Sequence, residues 1–141
     1  MARIAVEPEL ASLAAIHGTP RQLRDIRALA QSMRAAPSWA RYEKLDSAFH
    51  DLIAQASGNG LLYEVHKIIN GVRLVVVWRR LDTSQVAPPP DYHSFDEHDE
   101  IAAALERRDS AAAHRAMHAH LNATLASMTS GADRQIKAVS G

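Results

Sequence analysis

Residues 59–80 read NGLLYEVHKIINGVRLVVVWRR, and their reading decides whether the chain is all-helical or carries a sheet. Leu61, Leu62, Val65, Ile68, Ile69, Val72, Val75 and Val76 follow the i, i+3, i+4, i+7 recurrence of a buried helix. Against it, Asn70-Gly71 stands between two apolar, β-branched runs, a strong local signal for a hairpin turn. The helix is the better reading. Neither run alternates apolar with polar residues, and one isolated hairpin in an otherwise helical chain could not sustain itself. Gly71 then either costs about 1 kcal/mol relative to Ala or marks a close helix–helix approach.

The flanks support a helical chain. Alanine is abundant, aromatic residues make up 5%, and Gly and Pro number six each, so breakers are scarce. Upstream, a first helix is expected over Glu7–Ile16, with Leu10, Leu13, Ala14 and His17 at helical spacing, ending at Gly18. Thr19-Pro20 reads as an N-cap followed by Pro at the first helical position. The second helix turns Leu23, Ile26, Ala30 and Met33 inward and Arg24, Arg27 and Arg34 towards solvent. Pro37 stops it, and Ser38 caps a third helix over about Trp39–Ala56 that ends at Ser57-Gly58. Downstream, Pro88-Pro89-Pro90 marks an extended loop, and Ser94 with Glu97 forms a capping-box pattern for a fifth helix reaching about Arg107. Asp109 caps a last helix to about Met128, with a frayed tail over 131–141. The fold class is therefore all-α: one domain over 1–130, a bundle of six to seven helices.

The 141 residues carry 16 Lys+Arg, 16 Asp+Glu, eight His and no Cys. Without cysteine there are no disulfides, thiolate zinc sites, iron–sulfur clusters or cysteine nucleophiles. Zero net charge argues against nucleic-acid or membrane binding by bulk charge, and the lack of a long apolar run or signal peptide makes a cytoplasmic protein the expectation. A metal, if bound, must be held by nitrogen and oxygen.

On the third helix the apolar stripe is Tyr42, Leu45, Phe49, Leu52, Ile53 and Ala56, and Asp46 and His50 lie four residues apart on its edge. One helix offering carboxylate and imidazole at i, i+4 can begin a metal site, although a plain Asp–His pair has the same spacing. On the last helix Ala113, Met117, Leu121, Thr124 and Met128 define an inward face that contains His120, with His114 and His118 at or beyond its border. On the fifth, His98 shares the edge of the face made by Phe95, Ile101, Ala102 and Leu105. Each histidine alone reads as a satisfied core residue; three helices each offering an inward His or Asp suggest a shared site. His17, His66 and His93 read as surface or loop residues.

Taken in order, Asp46 to His50, the Ala56–Asn59 turn, Glu97-His98 with Ile101, Asp109, and Met117 with His120-Leu121 resemble the FCD domain. This is the C-terminal effector-binding domain of the FadR subfamily of GntR-type transcription regulators. The opening from Arg3 through Glu7 to Leu13-Ala14-Ala15 is similar to the family's first helix, and the resemblance spans about residues 3–128. It implies a helical bundle enclosing a metal-and-ligand cavity, with Asp46, His50, His98 and His120 as metal ligands. Three imidazoles and a carboxylate suit Zn²⁺ or Ni²⁺, with Mn²⁺ possible, and leave positions open for water or the carboxylate of a small organic acid.

Such a carboxylate calls for a guanidinium, for which Arg73 is the candidate; a solvated or interface arginine is the alternative. The Arg21, Arg24, Arg27 row reads as a solvated face. The resemblance further implies a homodimer and DNA contact through a winged helix-turn-helix. That module is absent here, so the chain is expected to be a fragment of a regulator or a stand-alone sensor. Two other functions compete: a metal-dependent hydrolase, for which Glu97 and Glu100 are the nearby carboxylates but better suited to capping or to holding a ligating His, and a purely structural helical module.

Overall fold

The computed structural model describes residues 2–80 and 87–140. Among them are six helices and no strand: α1 (Ala2–His17), α2 (Pro20–Arg34), α3 (Trp39–Ala56), α4 (Gly60–Arg80), α5 (Ser94–Glu106) and α6 (Ser110–Ser140). The helix reading of the Asn70-Gly71 region holds. Of the Pro-rich connection, residues 81–86 lie outside the described residues; the remainder is irregular, with the Tyr92 amide donating to the Pro89 carbonyl at 3.0 Å.

The starts and stops follow from their residues. Thr19 caps α2 with a reciprocal pair, the Gln22 amide donating to the Thr19 hydroxyl and the Thr19 amide to the Gln22 side chain. Ser38 accepts from the Arg41 amide at the head of α3, and Asp109 from the Ala112 amide at the head of α6. Gly58 ends α3 with φ +70°, a conformation L side chains resist. Arg108 takes the same left-handed region (φ 58°) between α5 and α6, and its guanidinium donates to the Gly18 carbonyl at 2.5 Å, tying that turn to the α1–α2 turn.

Three boundaries differ from expectation. α1 begins at Ala2 rather than Glu7, so Pro8 sits inside the helix instead of at its start. α6 is helical to Ser140, beyond the expected end near Met128. Ser94 is the first helical residue of α5 and not its cap, because the Glu97 carboxylate is drawn to His93 and His120 instead of back to the helix start.

The core is built around α1, which packs against α3, α4, α5 and α6; α2 completes it against α3 and α5. Ala11, Ala14 and Ala15 on α1 are fully buried, and their small side chains let neighbouring backbones approach. Leu23, Ile26, Ala30 and Met33 of α2 are buried as their spacing requires, as are Tyr42, Leu45, Phe49 and Ile53 of α3. α4 departs from the pattern: Leu61, Ile68, Val72 and Val75 are more than half exposed, so the helix is correct but its apolar stripe is not core. A Cβ at Gly71 would meet nothing within 4 Å, which removes a close approach among the described residues as its reason.

Gly18 is different. A Cβ there would stand 2.7 Å from the Ala14 carbonyl oxygen and 3.0 Å from Leu23 Cδ2. Gly18→Ala is expected to cost about 1–3 kcal/mol, read from the urea midpoint at unchanged slope; a loss below about 0.5 kcal/mol would contradict the packing described.

Candidate metal centre

Asp46 and His50 project from successive turns of α3, His98 from the middle of α5, and His120 from α6. One ligand atom from each of the four lies within 4.8 Å of every other, and all four residues are buried. Asp46 Oδ1 is the hub, 3.0 Å from His98 Nε2 and 3.4 Å from His50 Nε2. The His50 and His120 rings are stacked with centroids 5.4 Å apart, and His98 meets His120 edge-on at 4.5 Å. Phe49, fully buried, packs its ring 4.8 Å from His98 and 5.4 Å from His50 and closes the site on its core side.

The set fits a cation. His98 Nδ1 is buried without a hydrogen-bond partner, and the Nε2 atoms of His50 and His98 both converge on the single oxygen Asp46 Oδ1, an arrangement that a shared cation would satisfy. Nothing soft is present, and a carboxylate with imidazoles matches Zn²⁺ or Ni²⁺ better than Mg²⁺ or Ca²⁺.

Two carboxylates stand behind the imidazoles. Glu97 Oε1 lies 2.6 Å from His120 Nδ1, and Glu7 Oε1 lies 2.7 Å from His50 Nδ1. Each contact occupies the ring nitrogen on the far side from the cluster. Glu97 also meets His93 Nδ1, so this carboxylate is shared. Glu7 in turn accepts from Arg3 Nε at 2.5 Å.

Electrostatics divide the histidines. Burial lowers His98, against the opposing pull of Asp46, and lowers His120 to about 4 against that of Glu97. Burial also pushes His50 down, but Glu7 and Asp46 outweigh it and hold this imidazole above its ordinary value. Burial would raise Glu7 and Asp46; His50 with Arg3 in the first case, and His50 with His98 in the second, keep both carboxyls below the usual range.

Arg73 lies on the same side as Asp46. Its Nη2 is buried, lacks a hydrogen-bond partner and sits 3.6 Å from Asp46 Oδ2, while Nη1 reaches Glu43 at 3.4 Å and Nε donates to Asn70 Oδ1 at 3.2 Å. Asn70 donates onward to Ser47 Oγ at 2.8 Å. Arg27, by contrast, is a surface residue paired with Glu106 at 2.8 Å.

Sequence reading missed Glu7 and Arg3 and misplaced His66. His66 is 2% exposed, with Nε2 unbonded and 3.9 Å from Asp51 Oδ1. It faces inward from α4 although the larger apolar residues around it do not. Glu7 carried a usable signal: Glu7, Leu10, Ala11 and Ala14 are spaced i, i+3, i+4, i+7, which places Glu7 on the buried face.

The family model described as the FCD domain matches residues 1–123. The chain belongs to the FCD domain family. The HTH-type transcriptional repressors NanR of Escherichia coli K12 and of Shigella flexneri are each 27% identical over 125 residues, covering 88% of this chain and 47% of the relative. This FCD chain thus spans about half the length of the curated relatives it matches. Among solved structures, Streptococcus agalactiae GntR superposes with TM-score 0.69 at 26% identity, over 87% of this chain and 54% of that one. E. coli McbR/YncC gives TM-score 0.77 at 16% identity, over 92% and 65%, a likeness of fold alone. FCD membership assigns the chain to regulatory rather than catalytic domains. Among the described residues, no helix is long and apolar enough to cross a membrane.

Proposed function

We propose that this chain is the ligand-sensing and dimerisation domain of a cytoplasmic GntR/FadR-type transcription regulator. Asp46, His50, His98 and His120 hold a divalent transition metal, Zn²⁺ or Ni²⁺ foremost, and a small organic acid binds beside it. The observation that carries this reading is the convergence of buried imidazoles from α3, α5 and α6 on the Asp46 carboxylate, with one ligand atom of each within 4.8 Å of every other. The metal supplies open coordination positions. The chain supplies the shape of the site and, through Arg73, a guanidinium whose unpartnered Nη2 faces the same carboxylate. The signal is a difference in binding energy between two arrangements of the bundle, passed to a winged helix-turn-helix elsewhere in the full protein.

Homodimerisation is supported by the exposed apolar face of α4, where Ile68, Val72 and Val75 lie beside Gly71, which has open space above it, and Leu61 is exposed nearer the helix start. The hydrolase alternative loses ground, because Glu97 is engaged by His120 and His93 and Glu100 faces solvent.

Calorimetric titration of metal-loaded protein with a panel of small mono- and dicarboxylic acids tests the effector part. At least one acid is expected to bind, and Arg73→Ala to weaken it at least tenfold while leaving metal affinity within about threefold. Equal acid binding by wild type and Arg73→Ala would remove Arg73 from the site; no binding by any acid would remove the carboxylate effector.

A further inference from the structure

We propose that Glu7, braced by Arg3, is a positioning residue for His50, and that it ties the first turns of α1 to occupancy of the metal site. This rests on the metal reading above and goes beyond its four ligands.

Glu7 is 3% exposed and Arg3 7%, on a helix whose other buried residues are Pro8, Leu10 and alanines. A buried ion pair is a poor way to fill space, since an apolar side chain of similar volume does so without desolvating two charges. The pair is placed to act on His50. Glu7 Oε1 lies 2.7 Å from His50 Nδ1, and Nε2 of the same ring is then the nitrogen that faces Asp46 at 3.4 Å. A carboxylate on the distal nitrogen fixes both the tautomer and the plane of a metal-binding imidazole. Arg3 Nε on Glu7 Oε2 fixes the carboxylate in turn.

The same contacts dock the start of α1. Pro8 has no N–H, so the helix lacks the backbone bond that residue 8 would give to the Ile4 carbonyl. The stretch before Pro8 is therefore joined to the rest of α1 by a weakened ladder. Its buried side chains are Arg3 and Glu7, with Ile4 partly buried against the core. Whatever steadies His50 steadies this stretch, and by reciprocity an ordered Ala2–Glu7 segment strengthens the site.

The test uses the whole chain with Zn²⁺ as probe, its affinity measured against a competing chelator and amide exchange followed by NMR. Glu7→Gln keeps an acceptor for the His50 Nδ1 proton but loses the charge, and is expected to bind about tenfold more weakly. Glu7→Ala loses both and is expected to bind about a hundredfold more weakly. In wild type, Zn²⁺ is expected to slow exchange at Val6, Glu7 and Glu9. In Glu7→Ala at saturating Zn²⁺, that slowing is expected to vanish while slowing around His98 and His120 persists, a split that a general loss of packing does not produce.

Wild-type affinity in Glu7→Ala, or metal-dependent protection of α1 surviving in it, overturns the proposal. If Glu7→Ala does not fold, Arg3→Met decides: a tenfold weaker affinity supports the brace and an unchanged one overturns it. Wild-type protein that binds no Zn²⁺ overturns the metal reading and this inference together, whereas normal wild-type binding with unaffected variants overturns the inference alone.

Discussion

Zn²⁺ or Ni²⁺ at a thousand times its dissociation constant is expected to stabilise the folded chain by about 4 kcal/mol, a rise in melting temperature of roughly 10–20 °C for a domain of this size. Asp46→Asn is expected to abolish that rise. Asp46 is the residue to change because it meets His50, His98 and Arg73 at once. Its loss removes the only anionic member of the proposed ligand set while leaving three imidazoles and a guanidinium facing one another. Asn keeps the shape, so the metal-free variant isolates the missing charge. Breaking a buried charge cluster of this kind costs about 3–5 kcal/mol when one partner is removed, so the apo variant is also expected to melt earlier than apo wild type. The His98→Ala/His120→Ala double variant is expected to lose the metal response equally. His114→Ala, which removes an exposed contact with Glu9 and a ring contact with His118, is expected to keep it. A full metal-induced rise in Asp46→Asn would show that the metal binds elsewhere.

The parts of this arrangement legible in the sequence were those where local chemistry and tertiary role coincide. Thr19-Pro20 and Ser38 mark helix starts because their side chains satisfy the first backbone amides whatever packs nearby. Asp46, His50, His98 and His120 could be read as inward-facing because each shares the edge or face of an apolar stripe that becomes core, although their meeting at one point rested on the family resemblance.

Other parts depended on contacts between helices. The expected first helix opens at Glu7, which makes Glu7 a terminal residue, whereas α1 begins at Ala2 and carries Glu7 in its second turn. On α4 the hydrophobic pattern points the wrong way. The helix packs on α1 and α3 through a narrow face that buries His66, while Ile68 and Val72 remain outside. An apolar stripe at helical spacing establishes the helix, not which of its faces meets the core. Ser94 failed as a cap for a related reason: Glu97 had a better partner on α6 than the backbone of its own helix.

Metal affinity is expected to fall as the pH drops below 6.5, by about tenfold per pH unit or more once His50 is fully protonated in the metal-free protein. The sign follows from which imidazole is charged in the metal-free protein. Burial pushes His50 down, but Glu7 and Asp46 more than compensate, so His50 holds its proton above the ordinary histidine value of 6.5. Burial lowers His98 below its ordinary value and lowers His120 to about 4, so both are neutral and free to donate at pH 6.5, and His120 stays so to below pH 5. Asp46 stays ionised because its carboxyl lies well below 3.8.

Binding must then expel one proton, from His50, and each unit of acidity below that group's pKa raises the competition tenfold. Calorimetry at pH 6.5 in buffers of different ionisation enthalpy is expected to report between about half a proton and one proton released per metal. Release of two or three, with a correspondingly steeper fall in affinity, would mean that His98 or His120 is also charged before binding. A flat profile would mean that His50 is neutral before binding or does not ligate. Below about pH 4.5 the slope is expected to steepen as His120 begins to take up its own proton, so the titrations of His50 and His120 should be separable in one experiment.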